Sequence, residues 1–145
     1  MPTNLDRNAA VETFMKILIA HARNGIIGDI MSTLERGPSV PRTMKDKVVW
    51  HQWFQGLGDE DKEYVYQIIR ETVDAALFST LVILDGAAGR PIPGKLSDFA
   101  LYLQEYDDED AERSDLPKFR VRLNSVNATE DLHDIFKWSL KEYNQ

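Results

Sequence analysis

The residues whose spacing comes closest to a metal site are Glu130 and His133. A Glu-x-x-His sequence places a carboxylate and an imidazole one helical turn apart, and carboxylate-bridged di-iron bundles use two such pairs with two further glutamates. Only one pair is present in this sequence, and Glu130 would equally suit the start of a helix, where the helix dipole favours negative charge. One pair of ligands does not make a site, so we predict no metal and no cofactor.

Three carboxylates, those of Glu71, Asp74 and Asp85, belong to the most apolar helix that the sequence predicts. Paired carboxylates in a dry pocket can carry out general acid–base chemistry. However, Arg70 precedes Asp74 by four residues, which allows an ion pair on one helix face, and Asp85 stands where the helix is expected to stop. A small hydrolase or metal enzyme is therefore an alternative hypothesis. It requires four side chains to converge in one pocket: Glu71, Asp74, Glu130 and His133.

Other sequence motifs of catalysis are weak or absent. Segment 86–90, which reads Gly-Ala-Ala-Gly-Arg, follows an apolar run but lacks the Gly-Lys-Ser/Thr ending of a phosphate loop. The sequence contains no Gly-x-Ser-x-Gly motif and no cysteine, which excludes cysteine nucleophiles, thiolate metal sites and disulfides. We predict no catalytic residues, and an enzyme is the less favoured class.

Helical periodicity dominates the first 58 residues. Asn4 is predicted to cap a first helix that Gly25 ends, and Gly37 is predicted to close a second helix. Thr43 is predicted to start a third helix, in which two aromatic anchors face inward. The pairs that predict this inner face are Val49 with Trp53 and Trp50 with Phe54.

Residues 59–85 predict one long central helix. Three acidic residues begin it at 59–61, no Gly or Pro interrupts it, and beyond Ala75 it is apolar nearly all round, which is typical of a buried helix. A strand over 81–84 is the alternative, because short apolar runs are ambiguous by periodicity alone. The apolar run 75–84 is broken by Ser79 and Thr80 and falls short of the roughly 20 residues that cross a bilayer.

Alternating apolar and polar residues predict a β-hairpin in the C-terminal part of the chain. The outer face of this hairpin would carry Tyr102 and Tyr106 on one strand and Arg120 and Arg122 on the other. The residues expected to face the core are Phe99, Leu101, Leu103, Phe119, Val121 and Leu123. A last helix follows, capped by Thr129, and it is predicted to leave Trp138 half exposed opposite its inner face.

Together these elements predict a single α+β domain over residues 1–145 that is mostly α. Four to five helices surround a buried central helix at about 59–85, with one C-terminal β-hairpin. The length of 145 residues suits one domain, and 43% hydrophobic with 28% charged residues is ordinary globular usage.

The charge of the chain bounds its partners. A net charge of −7 argues against a nucleic-acid binder, because neutralising phosphates needs a surplus of Lys and Arg. Residues 107–115 hold six acids and one base, so they contribute −5 of that total. We expect a cytoplasmic protein, since cysteine is missing and the N-terminus lacks a basic segment followed by an apolar core.

The surface residues favour a non-enzymatic module that binds a protein partner. Tyr and Arg often anchor protein interfaces, and an acidic segment speeds association with a basic partner. A third hypothesis is a homo-oligomer that pairs through Trp138 and the hairpin edge. The residues predicted to contact a partner are Tyr102, Tyr106, Arg120, Arg122 and Trp138.

In character, the chain is similar to bacterial immunity and antitoxin proteins, which are small, acidic and without a catalytic motif. The similarity rests on no particular residues. We expect neither a membrane nor a nucleic-acid partner, because the longest apolar run is too short to cross a bilayer and the net charge is −7.

The acidic segment 107–115 generates a first prediction. Like charges packed this densely repel one another, which favours an extended and solvated chain. We expect limited trypsin digestion of the folded protein to cut first on the C-terminal side of Arg113. Mass spectrometry of the early fragments would measure this, and early cuts elsewhere with Arg113 intact would contradict it.

Overall fold

The computed structural model describes residues 6–87, 99–106, 117, 119–124 and 130–143. Within these residues the chain forms five α-helices, one π-helical segment and a two-stranded antiparallel sheet, which confirms the predicted α+β class. The helices are α1 Arg7–Ile17, the π-helical segment Leu18–Arg23, α2 Asn24–Arg36, α3 Lys45–Gln55, α4 Asp59–Leu84 and α5 Leu132–Tyr143, and the strands are β1 Tyr102–Glu105 and β2 Phe119–Arg122.

The chain divides into two compact units. Residues 1–16 and 78–145 form one unit, called here the terminal unit, and residues 17–77 form the other, called the middle unit. Both boundaries fall in or beside helices, between 16 and 17 and between 77 and 78. The prediction of a single domain over 1–145 stays a prediction.

The N-terminal helical region continues past the point where the sequence predicted its end. Asp6 caps α1, because its Oδ1 accepts the backbone N–H of Asn8 at 3.0 Å. Gly25 does not end a helix: the backbone keeps right-handed helical angles through Arg23 and Asn24, and α2 runs on. The helix ends instead at Gly37, whose φ of +85° suits glycine. The predicted cap, Asn4, lies outside the described residues.

In the middle unit, α3 completes the C-terminal end of α2. His51 Nδ1 donates to the carbonyl of Leu34 at 2.8 Å, and Gln55 Nε2 donates to the carbonyl of Glu35 at 3.1 Å. The last carbonyls of a helix have no partner within the helix, so these two side chains satisfy them. Phe54 on the same helix is buried, and its ring centroid lies 5.6 Å from that of Tyr66.

The predicted inner face of α3 is wrong apart from Phe54. Trp50 and Trp53 are 52% and 55% exposed, and Val49 is exposed as well. Both predicted pairs have a four-residue spacing, which identifies neighbours on a helix without saying which pair faces the core. The helix also starts at Lys45 rather than at Thr43, whose hydroxyl donates to the carbonyl of Val40.

The long helix α4 begins at Asp59 and ends at Leu84, as the sequence predicted, and the strand alternative over 81–84 is wrong. The prediction that its second half is buried on all sides is also wrong. Val73 and Leu81 are buried, but Ala75, Ala76, Ser79 and Thr80 are exposed and Ile83 is 48% exposed. Alanines and short hydroxyl side chains are tolerated at the surface of a helix, so an apolar composition did not require burial. Within the part of the chain that the structure describes, no helix combines the length and the apolar character needed to cross a membrane.

The terminal unit contains the hairpin and α5. Strands β1 and β2 pair with Tyr102 opposite Arg122 and Leu103 opposite Val121, which gives the alternation that the sequence predicted. Phe99 is 43% exposed, so it does not face the core as predicted. Among the described residues of this unit, the buried hydrophobic ones are Ala10, Val11, Met15, Leu81, Leu123, Leu132 and Phe136.

Several predicted features lie outside the described residues. They are the helix cap Thr129, the acidic segment 107–115 and part of the turn 86–90.

We expect alanine substitutions of two aromatic residues of α5 to lower the free energy of unfolding by very different amounts. Phe136 is fully buried, so Phe136→Ala should lower the free energy of unfolding by about 3–5 kcal/mol through lost burial and the cavity that remains. Trp138→Ala on the same helix removes a side chain that is 49% exposed and should cost about 1 kcal/mol or less. Chemical denaturation measures both values, and equal losses would show that α5 is seated differently.

We expect a hydrogen bond in the middle unit to make the protein less stable at high pH. The Tyr66 hydroxyl donates to Glu35 Oε1 at 2.5 Å, and this hydrogen bond to a carboxylate raises the pKa of Tyr66 to about 12. An unfolded tyrosine titrates near pH 10, so the stabilisation is complete below about pH 10 and is lost as the pH rises to about 12. Denaturant unfolding over this pH range measures the slope. Tyr66→Phe should flatten it, whereas the control Tyr64→Phe, which leaves the Tyr66–Glu35 bond in place, should keep it.

Candidate functional site

The outer face of the hairpin is the candidate binding surface, defined by Tyr102, Gln104, Arg120 and Arg122. The register places these four side chains on one face, because residues two apart along a strand and residues paired across the strands point the same way. The guanidinium carbon of Arg120 lies 3.8 Å from the ring centroid of Tyr102, a stacked cation–π contact. Arg120 is exposed and Tyr102 is half-buried, so the stack lies at the surface.

The other predicted contact residues lie near this surface or on α5. Arg122 donates through Nη2 to the carbonyl of Phe99 at 3.0 Å, which ties the strand to the chain before β1. The Tyr106 hydroxyl donates to Gln104 Oε1 at 3.3 Å, a long hydrogen bond at the end of β1. Trp138 is 49% exposed, in agreement with the half exposure that its helix position predicted.

The second candidate site is built where α4 ends and α5 begins. Asp85 follows the last residue of α4, and its Oδ2 accepts the backbone N–H of His133 at 2.9 Å and lies 2.8 Å from His133 Nδ1. A carboxylate only accepts hydrogen bonds, so Nδ1 carries a proton and donates it. The Asp85 side chain is 2% exposed and that of His133 is 14% exposed. The imidazole also packs in a T-shaped arrangement with the ring of Phe78, with the centroids 5.4 Å apart.

His133 and two neighbouring aspartates form a group of three potential metal ligands. A ring nitrogen of His133 and one carboxylate oxygen each of Asp131 and Asp134 lie within 4.8 Å of one another. His133 Nε2 and Asp134 Oδ1 are 3.9 Å apart, which is beyond hydrogen-bonding distance. Glu130, the predicted ligand partner of His133, does not belong to this group; its backbone carbonyl instead accepts a hydrogen bond from Arg7 at 3.3 Å.

The residues of the enzyme hypothesis are divided between the two units. Glu71 and Asp74 belong to the middle unit, and Glu130 and His133 belong to the terminal unit. Both carboxylate oxygens of Asp74 are bound by Arg23, at 2.5 Å from Nε and 3.0 Å from Nη2. The expected partner of Asp74, Arg70, lies instead 3.7 Å from Glu63.

Two buried polar residues were missed by the sequence analysis. Arg23 is 7% exposed and pairs with a residue 51 positions later in the chain. Asn124 is 4% exposed; its Oδ1 accepts the N–H of Leu101 at 2.7 Å, and its Nδ2 donates to the carbonyls of Leu84 and Phe99. Arg23 could have been predicted to be buried, because it is a lone cation within an apolar helical run. No feature of the sequence predicts the burial of Asn124.

A shallow groove of about 110 Å³ lies between α2 and α3 in the middle unit. Its lining includes the apolar side chains of Ile30 and Trp50 and the charged side chains of Asp29 and Lys47. Trp50 lines this groove and is 52% exposed, although the sequence had predicted that it faces inward.

The chain was compared with family models, with curated proteins and with solved structures, and none of the three comparisons found a match.

Proposed function

We propose that the protein is a non-enzymatic binding module that engages a protein partner through the outer face of its hairpin. The observation that supports this most directly is the stack of Arg120 on Tyr102 at 3.8 Å. Arginine stacks well on aromatic faces and still presents its N–H donors to a partner. Tyr and Arg are also among the residues that contribute most to binding free energy at protein interfaces.

The stack favours binding because it restricts two long side chains before a partner arrives. Ordering a flexible side chain at an interface costs about 0.5–1.5 kcal/mol, and a side chain that is already held in place avoids part of that cost. Arg122 is restrained in the same way by its bond to the Phe99 carbonyl. The outer face therefore offers donors and an aromatic surface in fixed positions.

The sequence between the two strands supports a partner with a basic surface. Residues 107–115 carry a net charge of −5, and opposite charge speeds diffusional encounter, most strongly at low salt. Under this proposal the protein works in the cytoplasm and is immunity- or antitoxin-like in character. It binds neither nucleic acid nor membrane.

The enzyme alternative has less support. It requires Asp74 to act on a substrate, and both oxygens of that carboxylate are already bound by Arg23. A free carboxylate oxygen within reach of the reacting proton is what general acid–base chemistry needs.

Site-directed photo-crosslinking tests the proposed face. A photoreactive amino acid at Gln104 lies on the outer face, opposite Arg120, whereas the same amino acid at Glu105 lies on the other face of the strand. Both positions are exposed. In cells that express the protein we expect one discrete crosslinked partner from Gln104 and none from Glu105.

A matched pair of arginine variants gives the second readout. Arg120→Ala should weaken retention of the crosslinked partner about tenfold or more, whereas Arg70→Ala on α4 should leave it unchanged, because Arg70 is also exposed but lies in the middle unit. Equal crosslinking from Gln104 and Glu105, or equal binding by both variants, would overturn the proposal. A crosslinked product with twice the mass of the chain would instead support the homo-oligomer hypothesis.

A further inference from the structure

We propose that Asp131, His133 and Asp134 form a binding site for a divalent transition-metal ion of the zinc class. The ligand atoms would be Nε2 of His133 and one carboxylate oxygen from each aspartate. This inference concerns the N-terminal turn of α5 and does not depend on the proposed binding of a protein partner.

The orientation of His133 is the feature that distinguishes this group from an ordinary acidic surface. Metal-binding histidines almost always donate their other ring N–H to a carboxylate or a carbonyl, which fixes the tautomer and the direction of the ring. Asp85 does this here, since its buried Oδ2 holds Nδ1 at 2.8 Å. Nε2 is thereby left as the ring nitrogen able to bind a metal, on the side of Asp134.

The distances are close to those that a metal would impose. With bonds of about 2.0–2.1 Å to nitrogen and oxygen, two ligand atoms of a tetrahedral zinc site lie about 3.4 Å apart. Nε2 lies 3.9 Å from Asp134 Oδ1, and one ring nitrogen of His133 lies within 4.8 Å of one carboxylate oxygen of each aspartate. The side chain of Asp134 is half exposed, so a small rotation of the carboxylates can close the remaining gap.

The chemistry of the donors decides which metal is expected. One imidazole with two carboxylates suits zinc and its transition-metal neighbours, whereas Ca²⁺ and Mg²⁺ prefer all-oxygen sites. Two carboxylates balance the charge of a divalent ion and offset the positive end of the helix dipole, which disfavours a cation at this position. Three protein ligands leave a fourth position open to water or to a ligand from another molecule.

Zinc binding to the purified 145-residue chain tests the inference. We expect isothermal titration with Zn²⁺ to give one site per chain, and Co²⁺ in its place to give the visible absorption of a low-coordinate site with nitrogen ligation. Asp131→Asn and Asp134→Asn should each weaken Zn²⁺ binding about tenfold or more. Both variants leave in place the cap that Asp85 gives α5 by accepting the His133 N–H, so folding should be preserved and circular dichroism should confirm it.

Two controls separate a site from general attraction to acidic residues. Glu130→Gln removes the same charge from a neighbouring carboxylate outside the group, and His21→Gln removes an exposed histidine elsewhere in the chain. Neither should change Zn²⁺ affinity or the Co²⁺ spectrum. The inference would be overturned by a wild-type protein that binds no Zn²⁺, or by Glu130→Gln losing as much affinity as Asp134→Asn. It would also be overturned by a Co²⁺ spectrum that persists when both aspartates are replaced.

Discussion

The terminal unit depends on a small set of hydrogen bonds at the last turn of α4. The Leu84 carbonyl accepts a hydrogen bond from Asn124. The carboxylate of the next residue, Asp85, accepts hydrogen bonds from the backbone N–H and the ring Nδ1 of His133. One end of one helix therefore fastens the segment after β2 and the start of α5, although these lie 40 and 48 residues further along the chain. Because these groups are largely buried, removing one partner would leave the other unpaired, at a cost of about 1–3 kcal/mol. The hydrogen bonds at this point therefore stabilise one another's partners.

The same anchoring also supports the two-stranded sheet. An isolated hairpin is marginally stable in water and needs something to pack against. Here one face is secured through Leu123, whose carbonyl also accepts two bonds from Arg7 at the start of α1. The opposite face holds Arg120 and Tyr102 at the surface, and Arg122 on the same face donates to the Phe99 carbonyl.

The sequence predicted what depends on local pattern and missed what depends on distant pairing. The bounds of α4 and the alternation of β1 and β2 follow from periodicity and from the absence of helix breakers, so they were predicted well. The prediction that Gly25 ends the first helix was wrong, because a glycine can adopt helical angles as readily as those of a turn. The Asp85–His133 and Arg23–Asp74 pairs join residues 48 and 51 positions apart, and no spacing rule in a single sequence reaches that far. The outward face of α3 was missed because Trp50 and Phe54 share a stripe, and only packing decides which of them is buried.

The positions of the three tryptophans have an optical consequence. Trp50, Trp53 and Trp138 are each about half exposed, and the sequence contains no others. Indole emission shifts with the polarity around the ring, so the native fluorescence of this protein comes from its surface rather than from its core. Unfolding should then change the emission colour only slightly, while anything that covers α3 or the outer side of α5 should shift it to the blue. The chain thus carries its own label for surface contacts, one that needs no dye.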